Sequence, residues 1–427
     1  MEVIKKALNA IWETNNTHRV MRLIIKLPFY MLAIPIVLII RAISPWYLVR
    51  IGGLISHRIG HFSGNTELYC CERDARINTP HQRYLDLFYF MGLICNDQLA
   101  TMWRRVLPIW PAWFLAPVRR MNKLIPGWAL HEIGTNTQED RDVHNLQDRF
   151  SPHLKFTLKE ESVGEKILRN MGIPLGAKFV CINVRDSAYL DAHQPVKVQP
   201  NSPSAWSYHN YRDSNVQSYI VAVEELANLG YYVIRMGAKV SERINSTHPR
   251  VIDYACNGMR SDFMDIYLCA KCWFMISTGD GLVGVPRAFM RPVVTVNLMP
   301  MGYFLSYHSN LIGITKHHYL PSLSKFLTLN EIFTYGVGYS LSSGEYNSKE
   351  VQIINNTPEE IRDVIIEMVE RLNGTWKAHE EDEKLQKRFW EIFPKNALDA
   401  LSGKPLHGAI RAKFGASFLR NNQSWIK

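Results

Sequence analysis

Between residues 178 and 300, short apolar runs alternate with amphipathic stretches, and glycine closes several of the transitions. KFVCINVR (178–185) reads as a strand, and NVQSYIVAVEELANL (215–229) spaces its apolar residues three and four apart, as a helix does. Gly230 ends that helix before YYVIRMG (231–237), a second strand, and VIDYA (251–255), a third. SDFMDIYLCAKC (261–272) is helical, WFMIS (273–277) a strand and TGDG (278–281) a turn. GLVGVPRAFM (281–290) and PVVTVNL (292–298) supply a further helix and strand. Strands separated by helices cannot form hairpins, so the segment predicts a parallel sheet of βαβ units. From 354 another helix begins, with Thr357 as its N-cap and Glu359 or Glu360 behind it. The tail over 374–427 reads as helical and ends basic, with Arg411, Lys413 and Arg420.

Upstream the pattern is less regular. A strand is expected near 48–51, a helix over about 53–62 and a strand near 67–71. The aromatic-rich stretch 84–116 ends in LPIWPAWFLAP, and prolines 108, 111 and 117 suggest a loop or short turns. Residues 131–148 are polar and acidic and read as surface.

Residues 27–40, LPFYMLAIPIVLII, form an apolar run too short for the roughly twenty residues of a full span. Pro28 and Pro35 are expected to break the helix further. The run starts late and lacks a small-residue cleavage site, so it does not read as a secretory leader. Arg19, Arg22, Lys26, Arg41 and Arg50 surround it, with Trp46 and Tyr47 close by. That is the composition of an element lying at an anionic lipid interface.

The whole chain has the same bias: 49 Lys+Arg against 39 Asp+Glu give a formal charge of +10, which favours an anionic partner. Nucleic acid is not expected, because no recognition module appears and aromatics are not interleaved with basic residues. Seven cysteines, odd in number and mostly within apolar runs, do not make a disulfide framework and suggest a reducing compartment. Cys269 and Cys272 form a lone C-x-x-C among apolar neighbours, so no zinc site is expected.

Candidate chemistry gathers at strand ends. Ser277, Thr278, Gly279, Asp280 and Gly281 follow a strand and precede a helix, where backbone N–H groups could approach a diphosphate. Neither a P-loop nor GxGxxG is present. Arg235 ends a predicted strand, where a guanidinium can clamp phosphate, and Lys239 lies close behind. Arg212 sits in SYHNYRD, a loop rich in hydrogen-bonding groups. Asp186 could deprotonate a sugar hydroxyl or cap the next turn. Asp262 and Asp265 open a helix, as caps or as ligand contacts, while His61 and Glu67 are candidate acceptor-side bases. HRIGH lacks the glutamate of a zinc-protease helix.

Five stretches in one order carry a family resemblance: RIGHFSGNTELYCCE (58–72), INVRDSAYL (182–190), YRDSNVQSYIVAVEELANLGYYVIRMG (211–237), DYACNGMRSDFMDIYLCAKCWFMISTGDG (253–281) and HGAIRAKFGASFLRNNQSW (407–425). The chain resembles a group of bacterial glycosyltransferases of surface-polysaccharide loci. The resemblance implies an α/β fold of two Rossmann-like, GT-B-like lobes with an apolar N-terminal membrane-associating segment. It implies a segment 1–47, an acceptor-side lobe 48–172, a nucleotide-sugar lobe 173–370 and C-terminal helices 371–427 packing back on the first lobe. Arg235, Lys239 and the Ser277–Gly281 turn would meet the donor diphosphate, although Asp280 stands where serine is expected.

The activity so implied moves a sugar from a UDP- or GDP-linked donor to a glycan or polyprenyl-linked acceptor. No metal or other cofactor would be required, since basic side chains and helix dipoles can neutralise the leaving diphosphate. The expected location is the cytoplasmic face of the inner membrane, peripheral or monotopic. The alternative is a non-catalytic nucleotide- or glycan-binding partner in polysaccharide assembly.

Overall fold

The computed structural model describes residues 15–133, 141–193, 206–400 and 402–427, except for the side chains of 15–26 and 193. Twelve strands are present among them: β1 (Leu48–Leu54), β2 (Tyr84–Phe90), β3 (Phe179–Asn183), β4 (Tyr232–Arg235), β5 (Val251–Ile252), β6 (Met275–Ser277), β7 (Val293–Leu298), β8 (Leu311–Thr315), β9 (His317–Leu320), β10 (Lys325–Phe326), β11 (Gln352–Ile354) and β12 (Lys413–Phe414).

Seven of them form one parallel sheet in the order β12-β8-β7-β6-β3-β4-β5. Its central strands are covered on both faces, which is why they read as nearly unbroken apolar runs. Alternation divides them between two cores. Val180, Ile182, Val233 and Ile276 point to one face, and Phe179, Cys181, Ile234 and Met275 to the other. Ala222, Val223 and Leu226 of helix 220–228 cover the first face, with Ile361, Val364, Ile365 and Met368 of helix 358–373. That second helix starts as expected, with a capping box between Thr357 and Glu360.

The N-terminal unit is a smaller α/β element. β1 and β2 pair in parallel in full register, joined through a helical segment, and isolated parallel bridges at Glu132 and Ile109 flank them. A buried ion pair ties the two strands, with Arg50 Nε and Nη2 at 2.7 and 2.6 Å from the Asp86 carboxylate. The Tyr69 hydroxyl also donates to Asp86, at 2.5 Å. Leu54, Phe62, Phe88 and Trp103 of this unit share one core with Cys181, Ile234 and Met275 of the large sheet. Helix Leu158–Asn170, placed before the expected boundary at 172, packs Gly164 against the Tyr267 ring of helix Asp262–Lys271.

Several local expectations change here. The strand expected over 67–71 is part of helix Thr66–Asp74, because residues 66–72 are buried on every side and no face stays wet to set a helical period. The helix expected over 53–62 starts later: β1 runs to Leu54, and a π-helical turn spans His61–Asn65. Residues 84–116 hold β2 and helix Asp97–Val106; Pro108 and Pro111 fall between that helix and helix Ala112–Asn122, with Pro111 its N-cap, while Pro117 lies inside the second helix. Part of 131–148 is core: Asp142 accepts from the Leu146 and Gln147 N–H groups, and Asn145 Nδ2 donates to the Tyr307 carbonyl at 2.8 Å.

The C-terminal tail packs mainly on the large sheet. Phe389, Phe393, Phe414 and Phe418 join its first core, and β12 pairs with β8. Its 408–411 stretch meets 143–148, where Gly408 abuts Val143 and Arg411 pairs with Asp148.

Residues Asn15–Ile43 form one helix through both prolines. Pro28 and Pro35 are seven apart and exposed, so both missing N–H groups fall on the outer side. The inner side, Ala33 and Val37 with Ile36 and Ile40, packs near Leu115 and Val118 of helix 112–122. Leu27, Met31, Leu32, Ile34, Leu38 and Ile39 remain exposed, as do Trp46, Trp110 and Trp113. No helix among the described residues is long and apolar enough to cross a membrane. Two of the expected basic flanks serve the fold instead: Arg50 is the β1–β2 ion pair, and Arg41 donates to the Asn122 side chain and to the Ile125 and Pro126 carbonyls. The side chains of Arg19, Arg22 and Lys26 lie outside the described residues.

Candidate active site

Strand order alone marks one place on the sheet. From β3 the chain runs outward to β4 and β5, then returns to the other side of β3 and continues through β6, β7 and β8. The connections leaving β3 and β6 therefore diverge, and a crevice opens beyond their carboxyl ends, where Asn183 pairs with Ser277. The segment after β3 and the turn after β6 meet there, with the Arg185 N–H donating to Thr278 Oγ1 at 3.1 Å.

Three cations converge on this crevice. Arg185 forms an ion pair with Asp213 and donates to the His209 carbonyl at 3.1 Å. Arg212 Nη2 donates to the Gly279 carbonyl at 2.7 Å, while its Nε is buried without a partner. Lys316 directly follows β8, is 4% exposed, and donates from Nζ to the Asp213 carbonyl at 2.5 Å. Burial pushes the Lys316 ammonium down to about 8, opposed by Asp213 and aided by Arg185 and Arg212. Against these cations stand the Asp213 and Asp280 carboxylates.

The Ser277–Gly281 turn differs in use from the expectation. Gly279 adopts φ +79°, where a Cβ would lie 2.3 Å from Leu298, so only glycine fits. Its N–H donates to Ser277 Oγ at 3.1 Å, and the Leu282 N–H donates to Asp280 Oδ1 at 2.7 Å. Ser277 Oγ in turn donates to Asp280 Oδ2 at 3.0 Å. Asp280 is thus an N-cap, which explains a carboxylate here, and two of the N–H groups expected for phosphate are already satisfied. The turn positions Arg212 through its carbonyl; the positive charge comes from side chains.

An aromatic shelf borders the cations. Trp206 and His209 lie nearly parallel with ring centroids 6.0 Å apart, and Tyr208 sits 4.0 Å from His209. Burial, then Arg212, Arg185 and Arg58, push His209 down to about 4, so it is neutral at pH 7, and its Nδ1 is buried without a partner.

The N-terminal unit reaches the same place through glycine. A Cβ on Gly60 would lie 2.7 Å from the Gly281 carbonyl oxygen, and one on Gly284 2.8 Å from the Gly60 oxygen. Backbone on backbone, this contact sets the 57–61 segment beside the turn and brings Arg58 within electrostatic reach of His209. His61 is half-buried, with Nδ1 3.3 Å from Asn65 Oδ1.

Other expected site residues are seated elsewhere or already engaged. Arg235 ends β4, but its guanidinium is 1% exposed and pairs with Asp253 at 3.3 Å, so no open surface presents it. Lys239 is exposed on the following turn. Asp186 is the cap: Oδ1 accepts from the Ala188 N–H at 3.0 Å, and Oδ2 from the Ser241 N–H and hydroxyl at 2.9 Å. Asp262 accepts from the Asp97 N–H at 2.8 Å and joins the two units, while Ser261 caps its helix. Asp265 holds the Tyr254 hydroxyl and Arg260; burial lifts it to about 6. Glu67 is fully buried and bonded to His153, closed to any acceptor hydroxyl. All seven cysteines are free thiols.

Sequence reasoning passed over Arg185 and Lys316. Both stand one or two residues beyond an apolar strand, FVCIN and LIGIT, which is the signal that could have found them.

No family model and no curated protein matches this chain. Solved structures with a related arrangement include the ADP-heptose lipopolysaccharide heptosyltransferase II of E. coli, 13% identical, covering 62% of this chain and 90% of that one with a TM-score of 0.38. A glycosyl transferase family 9 protein from Veillonella parvula is 10% identical over 63% and 86% of the two chains, with a TM-score of 0.39. The UDP complex of S. aureus MnaA is 9% identical over 77% and 98%, with a TM-score of 0.28.

Proposed function

We propose that this protein is a glycosyltransferase that moves a sugar from a UDP- or GDP-linked donor to a glycan or polyprenyl-linked acceptor in surface-polysaccharide synthesis. The observation that carries this reading is the crevice beyond β3 and β6, where Arg185, Arg212 and Lys316 gather against Asp213 and Asp280, with Asp186 turned to Ser241. A diphosphate fits that surplus, and the unpartnered Arg212 Nε is a donor in need of an oxygen. As the sugar–phosphate bond breaks, negative charge grows on the departing diphosphate. Cations already fixed in a partly dry crevice stabilise that charge without reorganising. The Tyr208 and His209 rings border the cations and offer aromatic surface for the nucleobase or the sugar. On the acceptor side His61 is the open candidate base, since Asp186 and Glu67 are engaged.

The outer face of the Asn15–Ile43 helix supports this reading of the acceptor and the location. A row of exposed Leu, Ile and Met beside Trp46, Trp110 and Trp113 suits burial into the headgroup boundary of an anionic bilayer, with Arg120 and Lys123 close by on the neighbouring helix. Such a protein lies on the membrane's cytoplasmic face and meets a polyprenyl-linked acceptor there.

Ligand-observed NMR with UDP, GDP, CMP and their sugars tests the reading. One selective binder is expected, weakened about 10- to 100-fold in Arg212→Gln, the effect of losing a charge-assisted hydrogen bond. Silence across the panel from folded protein refutes the donor site. Selective binding with no turnover on any lipid or glycan acceptor favours the non-catalytic alternative.

A further inference from the structure

Away from the crevice, helix Thr66–Asp74 presents two metal-ligating side chains on one face, Glu67 and Cys71, four residues apart. The segment before helix Leu158–Asn170 brings His153 onto them. His153 Nδ1 lies 2.8 Å from Glu67 Oε1, and Cys71 Sγ lies 4.0 Å from the same oxygen. The three ligand atoms all fall within 4.8 Å of one another, the only such group among the described residues. Glu67 is 0% exposed, and its second oxygen, Oε2, is buried with no partner. A buried carboxylate oxygen left unpaired is costly unless a cation or donor faces it.

We propose that Glu67, Cys71 and His153 form a binding site for a divalent transition-metal ion of the zinc type. The donor set decides the class: one thiolate, one imidazole and one carboxylate suit zinc, whereas calcium and magnesium take oxygen alone. Around a tetrahedral zinc these atoms stand about 3.3–3.6 Å apart, given bonds of about 2.0–2.3 Å. Small side-chain rotations reach that from the present spacing. The far side of the imidazole is already prepared, since His153 Nε2 lies 2.9 Å from Asp74 Oδ2. A carboxylate there fixes the ring and keeps its proton on Nε2, leaving Nδ1 for the metal.

Binding releases two protons, one from the Cys71 thiol and one shared between Nδ1 and Glu67. The ion enters past His153, whose side chain is 13% exposed. It pins the 150–157 segment to helix 66–74, whose Leu68 and Cys71 already pack near Leu146 and Phe150. The site does not depend on the glycosyltransferase reading.

The full chain, stripped with chelator, is titrated with cobalt(II) as an optical probe and then with zinc. One equivalent of cobalt should bind with a thiolate charge-transfer band and tetrahedral d–d bands, and zinc should displace it. Cys71→Ser should lose the charge-transfer band, while Cys95→Ser keeps it. Asp74→Asn, at a half-exposed position that preserves the fold, should weaken affinity about 10- to 100-fold. Absence of a saturable equivalent, a charge-transfer band unchanged in Cys71→Ser, or unaltered affinity in Asp74→Asn overturns the proposal. If Cys71→Ser fails to fold, Asp74→Asn decides alone.

Discussion

Gly60→Ala sets two opposed effects against each other at the junction of the two units. Gly60 has helical backbone angles, φ −64° and ψ −47°, so alanine by propensity alone should stabilise by about 0.5–1 kcal/mol. The new methyl, however, would sit 2.7 Å from the Gly281 carbonyl oxygen and 3.0 Å from its Cα. Ordinary contact begins near 3.4 Å, so one backbone must retreat by about 0.7 Å, and backbone cannot swing aside as a side chain does. Overpacking of this kind costs about 1–3 kcal/mol, leaving a net loss of roughly 0–2.5 kcal/mol. Gly284→Ala meets the same interface from the other side, at 2.8 Å from Gly60 O and Ser63 Oγ. The double variant should therefore cost less than the sum of the singles, since one retreat relieves both contacts. Gly344→Ala is the control: its Cβ meets nothing closer than 3.9 Å, and it should be neutral or stabilising. Urea unfolding of the four proteins reads the balance. Donor affinity should fall in Gly60→Ala as well, because Gly281 closes the turn that holds Arg212. If Gly60→Ala stabilises as much as Gly344→Ala does, the units do not meet backbone to backbone and the crevice is not built as described.

Other expectations are independent of that junction. Lys316, pushed down to about 8, is charged below that pH and neutral above it, so donor affinity should decline as pH rises through 8 and Lys316→Gln should flatten the profile in a binding titration. In the unfolded chain the same ammonium titrates near 10.4, so its contribution to stability increases between pH 8 and 10.4 and the variant should lose that slope. Asp86→Ala strands Arg50 in the β1–β2 core and should cost about 3–5 kcal/mol in denaturant unfolding. Leu38→Glu with Ile39→Glu, both on the exposed face of the N-terminal helix, should abolish co-sedimentation with phosphatidylglycerol vesicles while leaving donor binding intact. Retained sedimentation would place the lipid contact elsewhere.

The seven-stranded sheet was largely legible because its strands are buried on both faces, and a doubly covered parallel strand must be written as an apolar run. Thr357 with Glu360, and the stop at Gly230, were legible for the same local reason: caps and left-handed turns need particular residues at particular offsets. Helix 66–74 was not legible, since a helix buried all round loses its amphipathic period and its Leu-Tyr-Cys-Cys core imitates a strand. The long N-terminal helix kept its prolines on one outward face, which a residue count cannot reveal.

At the crevice, sequence nominated Arg212 from its loop of hydrogen-bonding groups and the Ser277–Gly281 turn from its place after an apolar run. It also nominated Arg235, Asp186 and Glu67, which are chemically as able as any other. Only the tertiary structure separates them. Strand order puts the gap beyond β3 and β6, and packing spends Arg235 on Asp253, Asp186 on Ser241 and Glu67 on His153. A side chain's chemistry is local, but whether its atoms are already satisfied depends on residues tens of positions away. The chain by itself determined the α/β class and its cationic strand ends. Folding decided which of those ends remain free to hold a ligand.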